Sequence, residues 1–327
     1  MGRNCDVIFS TGKETLRGIV LIEDLHKFEQ QLRSLIDELE NFEEIAKYLK
    51  PLPGETPVVR NMDIYGDTIA LKGLIGGDHI VYVDFNKRYD LDSLIMNARS
   101  KGKNDIADKL EKNKTKAGIM LADVSGHRIT DALLTGMLHQ AFLLGVIYEL
   151  KFRGTVSVEL LENINTRFYN SSAVGKYITM IYGEISETGS FHFVSAGHLP
   201  PIVFSYEFGK IVEICKDNLT TFPPIGTMPT KGGLHIEHHD NLLGYKEKYS
   251  VNELNLMGKG DIMLLYSDGL YEISNEEGEE YFKTRLEKKL GELKSLAAKE
   301  IFMNIKDDLL EFATPEDDLS FIIIKRT

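Results

Sequence analysis

Cysteine is nearly absent from this 327-residue chain: Cys5 and Cys215 stand alone, without metal-ligand spacing and too few for a disulfide framework. A disulfide-stapled secreted scaffold is thereby excluded, and a reducing cytoplasm fits. Positive charge is also scarce. Against 38 basic residues stand 50 acidic ones, a net charge of −12, so a broad cationic surface for nucleic acid or anionic membrane is not expected. No stretch approaches the roughly 18 apolar residues of a membrane span, and the first residues lack the apolar block of a secretory signal. Asp6 occupies the place where an N-myristoylation motif needs Ser or Thr. Internal repeats and low-complexity tracts are missing as well. What remains, 43% hydrophobic and 27% charged, has the composition of a globular protein, large enough for one big domain with an appendage or for two ordinary domains. A protein or small-molecule partner is expected.

The chain divides at its prolines. Residues 1–24 form a short N-terminal segment with one candidate strand, Gly18–Ile22. Over residues 25–50 the apolar positions Leu25, Phe28, Leu32, Leu35, Leu39, Phe42, Ala46 and Leu49 alternate in steps of three and four. This is a heptad seam, read either as an amphipathic helix on its own domain or as a helix that pairs two copies of the chain. Pro51 and Pro53 end it. From 51 to 327 strand-like runs dominate, among them Val58–Tyr65, Thr68–Leu74, His79–Phe85, Ile119–Ala122, Tyr177–Ile185, Asp261–Ser267 and Leu319–Lys325. Helical patterns fall in pairs, Thr130–Leu150 with Val156–Tyr169 and Glu279–Leu290 with Ser295–Phe312. Two polar stretches, 86–116 and 227–250, read as insertions. Grouped strands and grouped helices predict an α+β fold rather than a βαβ alternation.

Four aspartates sit at strand ends: Asp78 after Gly76-Gly77, Asp123 after Ile119–Ala122, Asp268 after IMLLYS, and Asp317 before Asp318 and LSFIII. Any one of them alone is ordinarily a turn former bonded to its own backbone. Four together are costly to bury unless cations neutralise them. Oxygen-rich, thiol-free clusters suit Mg²⁺ or Mn²⁺ rather than Zn²⁺. His127 and His198, each in a Gly-His turn, are read as side-chain anchors or as general acids. His235, His238 and His239 lie in a polar, Gly-rich setting where no bound metal is expected.

In this order ADVSGH, YITMIYGEI, FVSAGHLPPIV, FPPIG, GDIMLLYSDGLYE and EDDLSFIII resemble the PPM family of metal-dependent protein serine/threonine phosphatases, in the bacterial branch typified by SpoIIE and RsbU. The resemblance runs from about Pro51 to Lys325. It implies a central antiparallel β-sandwich flanked by helix pairs, with two divalent cations, Mn²⁺ or Mg²⁺, at one end. Carried over residue by residue, it implies Asp78, Asp123, Asp268 and Asp317 as ligands together with the Val124 carbonyl, with Asp123 and Asp78 as the catalytic pair and Asp318 as the lesser of the two final acids. Water activated between two such ions hydrolyses a phosphate ester without a covalent intermediate. Arg128 replaces the family's usual glycine. It is read either as pairing with Asp131 or, more weakly, as reaching the substrate phosphate. Asp84 receives no role.

The resemblance implies a phosphatase acting on phosphoserine or phosphothreonine of a protein, and in this branch on a STAS-domain anti-sigma-factor antagonist in a partner-switching pathway. Homodimerisation through residues 25–49 is the accompanying expectation, and the two helices after Asp123 would connect the site to the surface. The alternative is a catalytically weak module of the same fold that binds a phosphoprotein. A small-metabolite phosphohydrolase is disfavoured because the two polar insertions read as recognition surfaces for something large.

Overall fold

The structure, a computed structural model, describes the chain except residues 1–4, 12–13, 21, 52–54, 72–75, 127–128, 172–175, 213, 215–218, 233–242 and 257. For the rest of residues 5–25 and for residues 129, 130 and 171 it describes the backbone alone. Arg128, His127, His235, His238 and His239 therefore lie outside the described residues. The chain forms two compact units, residues 1–47 and 48–327.

In the first unit, strands β1 (Cys5–Thr11) and β2 (Glu14–Val20) pair antiparallel, and helix α1 (Ile22–Ala46) follows. The single strand expected at Gly18–Ile22 is thus corrected to a hairpin. Its two strand runs flank Gly12-Lys13 in the sequence, a glycine-first pair of the kind two-residue hairpins favour. Along α1 the seam positions Phe28, Leu32 and Leu35 are exposed.

The second unit runs β3 (Met62–Ile69), β4 (Asp78–Asp84), α2 (Phe85–Arg88), α3 (Leu91–Ser100), α4 (Asn104–Asn113), β5 (Lys116–Val124), α5 (Ile129–Arg153) and α6 (Val158–Ser171). It continues through β6 (Ile178–Ser186), β7 (Ser190–Ala196), β8 (Ile202–Ser205), β9 (Lys210–Val212), β10 (Thr221–Phe222) and β11 (Asn252–Asn255). The last part is β12 (Ile262–Tyr266), α7 (Asp268–Glu272), α8 (Tyr281–Thr284), α9 (Leu286–Leu293), α10 (Ala298–Phe312) and β13 (Leu319–Arg326). One sheet has the order β10-β7-β6-β5-β4, with β11 also on β7; the other has the order β3-β13-β12-β8-β9. Among the described residues the strand pairs are antiparallel except β10 with β7.

Alternation along each strand assigns side chains to layers. Ile80, Ile119, Leu121 and Ile181 meet Ile64, Met263, Leu265 and Ile322 between the sheets. Val81, Val83, Met120 and Met180 face outward onto α3 to α6, whereas Leu264, Tyr266, Phe321 and Ile323 face α7 to α10. Strands covered on both faces have no polar side to present, which is why runs such as IMLL and FIII are apolar throughout.

Three expectations change. The break expected at Gly66-Asp67, between Val58–Tyr65 and Thr68–Leu74, does not occur: β3 runs straight through it. Gly66 is needed for close approach instead: a Cβ there would lie 2.7 Å from the Ile322 backbone, and the Tyr82 hydroxyl donates to its carbonyl at 3.1 Å. Residues 86–116 are no inserted loop. They form the helix pair α3 and α4, whose Leu91, Ile95, Ile106 and Leu110 are buried in the core; lysines between these positions dilute the pattern. The helix pair turns one face to the core and the other to solvent, so the stretch is part of the fold rather than an insertion into it.

Finally, Asp131–Arg153 is long and apolar enough to cross a membrane, with a mean hydropathy of 1.4, contrary to the expectation that no stretch comes near. Leu138, Phe142, Val146 and Leu150 of this helix are fully buried against the sheet, and Leu133, Met137, Leu144, Tyr148 and Phe152 are exposed. The remaining polar insertion, 227–250, is fastened at its described ends by Glu162 of α6. That carboxylate accepts from the buried Lys246 ammonium at 2.9 Å, from the Tyr249 amide and from the Thr230 hydroxyl.

Candidate active site

Two neighbouring strands bring the first two acids together. In the antiparallel register of β4 and β5, Asp78 stands directly opposite Asp123, the separation at which side chains of a strand pair interact. On the other side of β5, Asp123 stands opposite Thr179. The second sheet supplies the rest from the same end. Asp268 follows β12, and Asp317 and Asp318 precede its antiparallel partner β13.

Asp318 ties the two sheets together there. Its buried carboxylate accepts from the amides of Gly77 and Leu71, both at 2.7 Å. Asp317 is exposed, and one of its oxygens accepts from the Asp318 amide at 2.8 Å. The two final acids thus divide their work, the inner one anchoring the Gly76-Gly77 segment and the outer one left to face solvent. Sequence reasoning had no structural role for Asp318; the doubled acid just before an apolar strand was the available signal.

Glycines allow this closeness. A Cβ on Gly76 would overlap the Asp318 carboxylate, one on Gly77 would lie 2.5 Å from the Val124 carbonyl oxygen, and one on Gly269 would lie 2.0 Å from the Asp318 carbonyl oxygen. The Val124 amide donates to the Gly77 carbonyl at 3.2 Å, and the Thr135 hydroxyl of α5 donates to the same carbonyl at 3.3 Å. Asp84, one strand length from Asp78, is a structural cap: its side chain accepts from the amides of Asn86 and Lys87 at the start of α2.

Charge crowding shows in the protonation of the acids. Burial, the neighbouring Asp123 and then Asp318 hold Asp78 well above the usual carboxylate range, opposed by the hydroxyls of Ser267 and Ser320. Burial and the charges of Asp268, Asp317 and Asp318 push Asp123 up to about 7. Asp268 is raised by burial, by Asp317 and by Glu272. One oxygen of Asp78, Oδ2, is buried without a hydrogen-bond partner. Among the described residues no three acidic, histidine or cysteine side chains close around one point as a finished ligand set. The donors nevertheless fit a hard cation: oxygen alone, like-charged, with an orphaned carboxylate oxygen and a backbone carbonyl beside a glycine. A cleft of about 400 Å³ adjoins them, lined by Asp268, Asp317, Glu272, Asn275 and Thr314.

Two buried histidines lie near the acids. His198 is buried, its Nδ1 lies 3.0 Å from the Thr179 hydroxyl, and burial pushes it down to about 4. His79, next to Asp78, is buried with Nε2 2.9 Å from Nδ1 of His139, and burial and that neighbour push it down to about 3. Asp131, offered as a partner for Arg128, is fully buried and pairs with Lys176 at 2.7 Å. Lys176 was not singled out from the sequence, since no local pattern marks it.

Comparison with known proteins bears on the family and the fold. The family model for SpoIIE, stage II sporulation protein E, matches residues 113–327. Phosphoserine phosphatase RsbU of Bacillus subtilis (strain 168) is 28% identical over 221 residues, which cover 66% of this chain and 57% of RsbU. Phosphoserine phosphatase RsbP of the same organism is 29% identical over 186 residues, 57% of this chain and 40% of RsbP. The chain therefore aligns with only about half the length of these relatives. Among solved structures, the SiaA-PP2C domain of Pseudomonas aeruginosa superposes with a TM-score of 0.58 at 15% identity, covering 91% of this chain and 98% of that one. The PP2C phosphatase domain of Bacillus subtilis SpoIIE, with a fragment of its regulatory domain, gives 0.54 at 14% identity over 82% of this chain and 64% of that one. At those identities the fold is what is shared. With a family match from residue 113 to the end, the chain belongs to the SpoIIE family, and its two antiparallel sheets between helix layers are the fold of PP2C phosphatase domains.

Proposed function

We propose that this chain hydrolyses phosphoserine or phosphothreonine on a protein partner, with two divalent cations, Mn²⁺ or Mg²⁺, held by Asp78, Asp123, Asp268, Asp317 and the Val124 carbonyl. The observation that carries the reading is the pairing of Asp78 with Asp123 across β4 and β5, joined by Asp318 to the sheet that bears Asp268 and Asp317. Cations bound there would activate water and neutralise charge on the phosphoryl oxygens. The protein's own part is placement. Asp123 stands between the acids of both sheets and feels most of them, Asp78 backs it from a dry position, and Asp318 keeps the Gly76-Gly77 backbone against Val124. Ionised Asp123 and Asp268 are the form that holds a cation, so cation affinity is expected to weaken as pH falls below about 7, where the cation-free chain keeps a proton on Asp123.

The phosphoserine specificity named for RsbU and RsbP supports this substrate class, and their branch supports a STAS-domain anti-sigma-factor antagonist as the partner. Phosphate release from a phosphoserine peptide and from phosphorylated STAS-domain proteins tests it. Release that needs Mn²⁺ or Mg²⁺ and stops with EDTA is expected; hydrolysis indifferent to chelation would overturn the cation assignment. We place homodimerisation on residues 25–49, supported by the exposed seam of α1. Sedimentation with and without residues 1–50 should show the mass halve on truncation, and an unchanged mass removes this role.

A further inference from the structure

We propose that Lys176 is a positioning residue of the cation site, fixing the direction of the Val124 carbonyl through the turn that follows it. The inference rests on the cation-dependent reading above and adds to it a residue that does not itself ligate. Lys176 precedes β6, and its ammonium lies 2.6 Å from the Ser125 carbonyl oxygen and 2.7 Å from the carboxylate of Asp131 in the first turn of α5. Its neighbour Tyr177 completes the grip. The Ser125 amide donates to the Tyr177 carbonyl at 3.0 Å, and the Tyr177 amide donates to the Ser125 hydroxyl at 3.1 Å. Amide, hydroxyl and carbonyl of Ser125 are thus all held by one dipeptide.

A trans peptide is planar, so its N–H and C=O point in opposite directions. With the Ser125 N–H turned toward Tyr177, the Val124 C=O must point away from β6. That is the side where Gly77 lies, with room for no Cβ beside the oxygen. Gly126 shows how tightly the pair closes over the turn. At φ 111° it holds a conformation side chains avoid, and a Cβ there would lie 2.7 Å from the Asp131 carboxylate and 2.8 Å from the Lys176 ammonium.

A lysine serving only to neutralise a buried carboxylate would affect stability alone. Three variants separate the roles: Lys176→Arg, Lys176→Met, and Lys176→Met combined with Asp131→Asn, which removes both charges of the pair. Calorimetric titration with Mn²⁺ in the absence of substrate is the main readout, with kcat and KM on a phosphoserine peptide alongside. Groups behind metal ligands typically set affinity by about 10–100-fold. Both methionine variants should therefore bind Mn²⁺ about 10–100-fold more weakly, with KM at saturating Mn²⁺ unchanged and Lys176→Arg largely restored. Should Lys176→Met fail to fold, the double variant decides. Wild-type Mn²⁺ affinity in the double variant overturns the proposal while leaving the phosphatase reading intact; absence of Mn²⁺ binding by the unaltered chain overturns both.

Discussion

Asp123→Asn should make the cation-free protein more stable at pH 8 while removing the proposed phosphatase activity. In the folded chain burial and three nearby acids push Asp123 up to about 7 from the ordinary carboxylate value of 3.8. Between these values the folded state keeps a proton that the unfolded state has released, so stability falls as pH rises from about 4 to about 7 and stays low above that. Each tenfold difference in proton affinity between folded and unfolded chain corresponds to about 1.4 kcal/mol, and sharing of charge among the interacting acids reduces the sum, which gives roughly 2–4 kcal/mol. An asparagine escapes this cost. Urea unfolding in chelator should show little difference between variant and parent at pH 4 and a gain of about 2–4 kcal/mol for the variant at pH 8. Buried His79 and His198 act in the opposite sense, opposing folding as pH drops below their ordinary value. They are common to both proteins and cancel in the difference. Adding Mn²⁺ at about 1,000 times its Kd, which stabilises the host by about 4.1 kcal/mol, should erase this advantage. Hydrolysis should fall more than about 100-fold, beyond what groups behind a ligand typically cost. A variant equal to its parent in both stability and activity would remove Asp123 from the site.

Gly269→Ala carries the second large effect. The added methyl would lie 2.0 Å from the carbonyl oxygen of Asp318, backbone against side chain with no flexible group to yield. The junction where β12 passes into α7 would have to move off the start of β13, carrying Asp268 away from Asp317. Overpacking of this kind costs about 2–4 kcal/mol, and activity should drop with it. Gly291→Ala in α9 is the matched control. Its methyl would meet Phe204 at an ordinary 3.8 Å, and alanine is favoured over glycine within a helix by up to about 1 kcal/mol. Thermal unfolding should therefore move in opposite directions for the two glycines; equal shifts would contradict the assigned role of Gly269.

Much of the sandwich was legible because its inner strands are covered on both faces and so read as unbroken apolar runs, as in β12 and β13. The acids were legible for a related reason, each being the polar residue that ends or precedes such a run. Misreadings arose where one residue type serves two ends. Gly66 looks like a turn yet permits close approach to Ile322 on the neighbouring strand, and the lysines of 86–116 look like a solvated loop yet line the outer side of a helix pair whose inner face is in the core. Lys176 was invisible because its partner Ser125 is 51 residues away, and Asp318 because its partner Gly77 is 241 residues away. Contacts of that span are made by the fold, and no local pattern announces them.

Titration of the chelated chain with Mn²⁺ at pH 6 and pH 8, followed by calorimetry, tests the central claim most directly. Two ions per chain are predicted, bound more tightly at pH 8 and with protons released at pH 6 as the raised carboxylates ionise. No binding, or binding unaltered when Asp78, Asp123 and Asp268 are all replaced by Asn, would contradict it.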